Sequence, residues 1–236
     1  MVNKSSKPKE IGFLAKLYLR SYNAIQTLGW SLILYLLVSY FAPGKREITL
    51  WETVKTAVLV FQNAAALEIV HAVTGLVPSN PIITTFQVLS RVMVVCGVLL
   101  ATPPEFAAAS PGLPLALFAW SVTEIIRYGY YFMNLMGYVP YFLVWLRYTT
   151  FIILYPIGIT GELLCLYAAK IYATTKPQAW SYTLPNYWNF TFSYYYFIIF
   201  VMLLYIPLFP QLYLHMFAQR KKILGQASKP ASKKFQ

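Results

Sequence analysis

Two residues that could carry acid and base chemistry lie seven positions apart in a long apolar stretch of the sequence. Tyr155 and Glu162 belong to the segment LYPIGITGE, and Tyr148 lies another seven positions before Tyr155. Seven residues of an α-helix make about two turns, so the three side chains are expected on one face. A phenol and a carboxylate in this arrangement would suit removal of a proton from one carbon and protonation of a hydroxyl leaving the next, which is a dehydration.

Other catalytic arrangements are not indicated. The sequence shows no Ser-His-Asp triad, glycine-rich phosphate loop or metal cluster, which disfavours hydrolases, kinases and metalloenzymes. Glu68-x-x-His71 matches half of a di-iron ligand set, but such a site needs a second pair, and the only other histidine is His215. We therefore expect no metal and no other cofactor, and we interpret His71 as a buried hydrogen-bonding residue.

The elements that must hold these residues are membrane helices. The chain has 236 residues, of which 58% are hydrophobic and 11% charged, too apolar for a soluble domain of this length. A membrane span needs about 20 apolar residues. Six segments qualify, namely 22–42, 54–75, 82–101, 113–135, 141–172 and 193–217. The sequence thus predicts an all-α integral membrane protein, a bundle of six transmembrane helices. Counts of five or seven stay open, because the fifth segment is overlong and the first begins with polar residues.

Basic residues at both ends predict the orientation. They are Lys4, Lys7, Lys9, Lys16 and Arg20 before the first span, and Arg220, Lys221, Lys222, Lys229, Lys233 and Lys234 after the last. By the positive-inside rule both termini should be cytosolic, which requires an even number of spans. We expect basic cytosolic tails over 1–21 and 218–236 around a membrane domain over 22–217. The net charge of +12 is then explained by orientation and contact with membrane lipid, and no nucleic-acid partner is expected.

The fifth segment is too long for a single straight span. Its roughly 32 residues would extend about 48 Å, against a hydrocarbon thickness of about 30 Å. Pro156 lacks a backbone donor, and Gly158 and Gly161 weaken the same region. The sequence therefore predicts a helix break at YPIG.

Charged residues also fall inside the predicted spans. They are Glu68, Glu124, Glu162, Arg91, Arg127 and Arg147. A charge at bilayer depth costs about 2.5–3.5 kcal/mol unless it faces a partner or a wet cavity, so these acids and bases should converge inside the bundle. Glu124 and Arg127, three residues apart, are the best candidates for a structural bridge.

The same residues admit two interpretations. They could form ion pairs that fix helix packing, or they could bind substrate and tune Tyr155. The candidates for the second role are Arg91, Arg127, Arg147, Tyr148 and Glu124. The sequence leaves both interpretations open, with packing favoured for Tyr148.

Four stretches carry a family resemblance. They are YNAIQTLGW (22–30), LEIVHAVTGLVPSNPIITTFQVLSR (67–91), WSVTEIIRYGYY (120–131) and LRYTTFIILYPIGITGE (146–162). Together they resemble the very-long-chain (3R)-3-hydroxyacyl-CoA dehydratases, the protein tyrosine phosphatase-like family that includes the plant pasticcino proteins. The similarity covers most of residues 18–217.

The resemblance implies a lyase of lipid metabolism in the endoplasmic reticulum membrane. Such an enzyme removes water from 3-hydroxyacyl-CoA to give trans-2-enoyl-CoA, the third step of very-long-chain fatty acid elongation, and would work with other fatty acid elongase subunits. The resemblance places the catalytic pair on Tyr155 and Glu162. The C-terminal KKFQ also resembles a dilysine retrieval signal of endoplasmic reticulum membrane proteins.

The phosphatase-like name does not imply phosphatase activity. The element HAVTGLVP is similar to the H-C-x-x-G-x-x-R signature, but Ala72 stands in place of the nucleophilic cysteine and Pro78 in place of the arginine. Without a thiolate, no phosphocysteine intermediate can form.

Two other functions remain open at this level. One is an inactive membrane adaptor that binds elongase components or a phosphorylated protein, against which the retention of both Tyr155 and Glu162 argues. The other is a small transporter with a broken helix along its substrate path. The sequence shows no inverted repeat that would favour it.

Overall fold

The computed structural model describes residues 12–44 and 47–227, and within them every regular element is a helix. The helices are α1 (Phe13–Phe41), α2 (Leu50–Ala64), α3 (Leu67–Val73), α4 (Pro81–Val94), α5 (Gly112–Met136), α6 (Tyr141–Arg147), α7 (Phe151–Thr175) and α8 (Tyr194–Ala227), with a π-helical turn over Val95–Leu99. The all-α prediction is confirmed for this part of the chain. The KKFQ motif and the outermost tail lysines lie outside the described residues.

Five stretches of the described chain are long and apolar enough to cross a membrane. They are Phe13–Phe41, Leu50–Val73, Pro81–Leu99, Phe151–Thr175 and Tyr194–Gly225. They overlap five of the six predicted segments, so the chain is a multi-pass helical membrane protein. The remaining predicted span is α5, whose 25 residues include the charged Glu124 and Arg127.

Helix α5 is the centre of the bundle, packed along α1 and along α7. Its apolar face buries residues such as Leu113, Leu117 and Trp120. The same helix buries Glu124, which is 2% exposed, so it carries both apolar packing and charge into the interior. A central position explains this composition, because a helix surrounded by protein need not present apolar residues to lipid on all sides.

Glycines bring α5 and α7 into backbone contact. A Cβ on Gly161 would lie 2.5 Å from the backbone nitrogen of Ala116, and a Cβ on Gly112 would lie 2.3 Å from the carbonyl oxygen of Gly161. Small residues allow this close approach of membrane helices. Gly161, which the sequence analysis interpreted as weakening the helix, therefore has a packing role.

The terminal helices extend beyond the predicted spans. Helix α1 begins at Phe13 and includes Lys16 and Arg20, and α8 continues to Ala227. Arg20 donates to the carbonyl oxygen of Leu135 through Nη2 (2.7 Å) and Nε (3.1 Å). Because Arg20 finds this acceptor near the end of α5, the polar residues before position 22 are accommodated within the helix.

The break in the fifth predicted span does not fall at YPIG, and that prediction is wrong. The segment divides into α6, which ends at Arg147, and α7, which begins at Phe151 and continues through Pro156 to Thr175. Tyr148 lies in the turn between them, so it does not share a helix with Tyr155 and Glu162. The shared-face prediction therefore fails for Tyr148.

Candidate active site

The Glu162 carboxylate is held by two donors from two other helices. Trp120 of α5 donates its indole Nε1–H to Oε1 over 2.7 Å, and the Tyr205 hydroxyl of α8 lies 2.6 Å from Oε2. Glu162 is 7% exposed, and none of the described residues forms an ion pair with it. Both carboxylate oxygens are thus satisfied by neutral groups, which is how a buried polar group avoids the cost of desolvation.

The backbone contact between α5 and α7 places Trp120 beside Glu162. A Cβ on Gly158 would lie 3.3 Å from the Cβ of Ala119, which precedes Trp120. With Gly161 closely packed against Ala116, the two helices approach closely over the turn of α7 that leads to Glu162. This close approach accompanies the bond from the Trp120 indole to Oε1.

The Tyr155 ring packs on an aromatic face of α8. It stacks on Phe209 with ring centroids 5.3 Å apart and on Tyr213 with centroids 5.7 Å apart, at interplanar angles of 17° and 9°. Tyr205, Phe209 and Tyr213 recur every four residues, so they lie on one face of α8. Within the described part of the chain the Tyr155 hydroxyl makes no hydrogen bond, which leaves it free to bond a substrate.

Pro156 is accommodated in α7 because Tyr213 supplies the missing donor. A proline inside a helix has no N–H for the carbonyl four residues earlier, here that of Ile152. The Tyr213 hydroxyl donates to the Ile152 carbonyl oxygen over 2.9 Å. This bond satisfies the carbonyl that the proline leaves free, and it joins α8 to α7.

Four of the six intramembrane charges form an ion-pair network, defined by Glu68, Arg91, Glu124 and Arg127. Arg127 makes two hydrogen bonds to Glu68, of 2.6 and 2.8 Å, and its Nη2 lies 2.6 Å from Glu124 Oε2. Arg91 pairs with the other oxygen of Glu124, and the Tyr128 hydroxyl bonds Glu68. The predicted Glu124–Arg127 bridge is confirmed, and the predicted convergence is confirmed for these four residues.

Arg147 and Glu162 do not join that network, so the predicted convergence is wrong for them. The Arg147 guanidinium carbon lies 4.4 and 4.5 Å from the ring centroids of Tyr130 and Tyr131, and 5.7 Å from that of Tyr148. Its Nη2 donates to the Tyr131 hydroxyl over 3.0 Å. The aromatic rings thus stabilise this cation in place of a carboxylate. The packing interpretation of Tyr148 agrees with this contact.

His71 is a buried hydrogen-bonding residue, as predicted. It is 5% exposed, and its Nε2 lies 2.8 Å from the Tyr18 hydroxyl. The ring of Tyr22 meets it edge to face at 5.1 Å. These contacts hold α3 against α1.

Sequence reasoning missed Trp120 and Tyr205. The four-residue recurrence of aromatic residues in α8 could have indicated a packed face, and Trp120 precedes Glu124 by one helical turn. Trp120 also connects the ion-pair network with Glu162. It donates to Glu162, and the Arg91 guanidinium carbon lies 5.7 Å from its ring centroid.

The fold and this site define a multi-pass helical membrane protein in which one helix carries a buried carboxylate and, seven residues earlier, a phenol that has no hydrogen-bond partner among the described residues. The model of the protein tyrosine phosphatase-like protein family, PTPLA, matches residues 62–226. The chain belongs to this family, which confirms the resemblance found in the sequence.

Curated relatives carry dehydratase names. Very-long-chain (3R)-3-hydroxyacyl-CoA dehydratase hpo-8 of Caenorhabditis elegans is 47% identical over 64% of this chain and 69% of its own length. Very-long-chain (3R)-3-hydroxyacyl-CoA dehydratase 2 of Mus musculus is 42% identical over 69% of this chain, and the match spans 63% of the mouse protein. The probable very-long-chain (3R)-3-hydroxyacyl-CoA dehydratase of Schizosaccharomyces pombe is 40% identical over 66% of this chain and 74% of its own. No solved structure matches the chain.

Proposed function

We propose that this protein is a hydro-lyase that removes water from very-long-chain (3R)-3-hydroxyacyl-CoA to give trans-2-enoyl-CoA, the third step of fatty acid elongation. Its named relatives support the reaction. The observation that carries the site is the pairing on α7 of a carboxylate held by two neutral donors with a phenol whose hydroxyl is unbonded within the described residues.

The hydrogen bonds support a division of labour between the two residues. An indole N–H can only donate, so Glu162 Oε1 accepts its bond, which is compatible with a carboxylate, and we assign Glu162 as the base. The carboxylate takes the proton from Cα, the C–H electrons form the Cα–Cβ double bond, and the Cβ–O bond breaks. Tyr155 gives its proton to the departing hydroxyl, which leaves as water, and the proton on Glu162 then returns to the phenolate. Proton transfer of this kind contributes about 100-fold to 10,000-fold to a rate.

The acyl chain lies among the spans in this proposal, and the thioester lies at the cytosolic mouth, where basic residues attract the CoA phosphates. Arg220, Lys221 and Lys222 lie near the C-terminal end of α8, which continues to Ala227. Arg91, Arg127 and Arg147 remain candidates for binding the thioester side or tuning Tyr155. The partners in the same membrane would be other elongase subunits.

The proposed topology has six spans in the endoplasmic reticulum membrane, with both termini in the cytosol. The 25 residues of α5 would extend about 38 Å, enough to cross the hydrocarbon region. Counting α5 as a span gives an even number and places both basic ends on one side. Glycosylation reporters fused separately to the two termini should both stay unmodified in microsomes. Modification of either reporter would contradict this topology.

The catalytic proposal is tested by following enoyl-CoA formation from 3-hydroxyacyl-CoA by the purified protein across a series of chain lengths. Wild-type protein should be active, and Tyr155→Phe should lower kcat about 100-fold or more. Tyr167→Phe is the matched control, because Tyr167 lies on the same helix and is 50% exposed. An inactive wild-type protein would overturn the function, whereas near-normal turnover by Tyr155→Phe would remove only that residue from the mechanism.

A further inference from the structure

We propose that Tyr205 is a positioning residue for Glu162, whose hydroxyl fixes the carboxylate in the orientation from which it takes the substrate proton. The inference rests on the proposed function and adds to it a residue on a different helix from the catalytic pair. The Tyr205 hydroxyl lies 2.6 Å from Glu162 Oε2.

The first argument is geometric. A glutamate side chain held by one hydrogen bond can still rotate about its terminal torsion, because that torsion has a broad energy profile. Here the two oxygens are held separately, Oε1 by Trp120 of α5 at 2.7 Å and Oε2 by Tyr205 of α8 at 2.6 Å. Two anchors on different helices fix the carboxylate plane, and such preorganisation is what proton transfer between positioned groups requires.

The second argument concerns charge. Since no ion pair reaches Glu162 within the described residues, its hydrogen-bond donors supply the stabilisation of its carboxylate form. Trp120 has a single N–H, and it donates this group to Oε1. The bond to Oε2 therefore depends on Tyr205. Without that hydroxyl, Oε2 would lose its recorded partner in a buried site, which is costly for a charged oxygen.

The third argument is that packing alone does not require a hydroxyl at position 205. Phe209 lies one turn further along the same face of α8 and packs on Tyr155 through its ring alone. Tyr205 is half-buried, and a phenylalanine would fill the same ring volume. The hydroxyl is therefore explained by its bond to the carboxylate.

The test compares wild-type protein with Tyr205→Phe in the dehydration assay, with kcat and KM measured separately. We expect kcat to fall about tenfold or more, because a hydrogen bond to a charged group is lost. KM should change less than threefold, because the acyl chain and CoA contacts remain. Trp120→Phe removes the other anchor and should lower kcat in the same way.

Tyr194→Phe is the matched control for this experiment. Tyr194 lies on the same helix, 11 residues before Tyr205 (205 − 194), and the substitution removes one part-buried hydrogen bond, which Tyr194 donates to the Gly97 carbonyl oxygen over 2.6 Å. It should keep wild-type kcat, and thermal unfolding in detergent reports how much each substitution destabilises the protein. A kcat of Tyr205→Phe within twofold of wild type, or a fall that matches its loss of folded protein, would overturn the proposal. Absence of activity in the wild type would instead reject the proposed function.

Discussion

The ion-pair network and the Tyr155–Glu162 site lie in the same bundle and satisfy their carboxylates in opposite ways. Glu124 contacts two arginines, and Glu68 contacts one arginine and one phenol. Glu162 contacts only an indole and a phenol among the described residues. Full pairing with opposite charge suits a residue that holds helices together, whereas a carboxyl group bonded only to neutral donors has no cation to neutralise it, as the proposed base requires. The difference predicts that the first region governs stability and the second governs turnover.

The largest expected effect is on turnover, from Glu162→Gln. The glutamine oxygen can still accept from Trp120, but an amide cannot take a proton from carbon, so kcat should fall about 100-fold or more. Thermal unfolding in detergent should shift little, because the shape and one hydrogen bond are kept. Glu105→Gln is the control, since Glu105 is an exposed carboxylate. Normal turnover combined with a lower unfolding temperature would show that Glu162 contributes to stability and not to turnover.

Glu124→Gln should mainly affect stability. It leaves Arg91 and Arg127 without their shared charged partner, and removal of one partner from a buried ion pair costs about 3–5 kcal/mol. The free energy of unfolding, measured by denaturant titration in detergent, reports this loss. If Glu124→Gln unfolds at the same denaturant concentration as Glu105→Gln, the network does not hold the helices together.

Gly161→Ala should have a smaller effect on stability. Its Cβ would lie 2.5 Å from the Ala116 backbone nitrogen, so α5 and α7 must separate. Overpacking of this kind costs about 1–3 kcal/mol. Gly129→Ala is the matched control, because its Cβ would meet no heavy atom within 4 Å. Equal unfolding of the two alanine variants would show that the close contact is not needed.

The smallest predicted effect is a coupling between Tyr213 and Pro156. Tyr213→Phe leaves the Ile152 carbonyl without its recorded donor and should cost about 0.5–1.5 kcal/mol of unfolding free energy. In a Pro156→Ala background the helix supplies its own N–H, so the same substitution should cost less. A double-mutant cycle measures the difference. Equal costs in both backgrounds would mean that Tyr213 does not compensate for the proline.

The predictions from sequence succeeded where periodicity or spacing was sufficient. Helix content, five of the spans and the Glu124–Arg127 bridge follow from local patterns. The position of the helix break did not, because the Ile152 carbonyl that Pro156 leaves free accepts a hydrogen bond from Tyr213, 57 residues after Pro156 (213 − 156). Local sequence indicates that a proline frees a carbonyl but not whether a distant hydroxyl will bind it.

The candidate site could likewise be predicted only in part from the sequence. Tyr155 and Glu162 were found by helical spacing and family resemblance, since both lie on one helix. Trp120 and Tyr205 lie on α5 and α8, and their contacts depend on how those helices pack against α7. For Glu162, the expected convergence with arginines was wrong because neutral donors already satisfy its oxygens.

The backbone contact at Gly161 also restricts the route by which a long acyl chain can reach Glu162. Along the seam between α5 and α7 it would meet peptide groups, because no side chain separates the helices at that turn. Peptide groups cannot rotate out of the way as side chains do. On the α8 side, by contrast, the carboxylate is covered by the Tyr205 side chain. The seam therefore acts as a fixed wall, so an acyl chain that reaches Glu162 must approach from another side of α7.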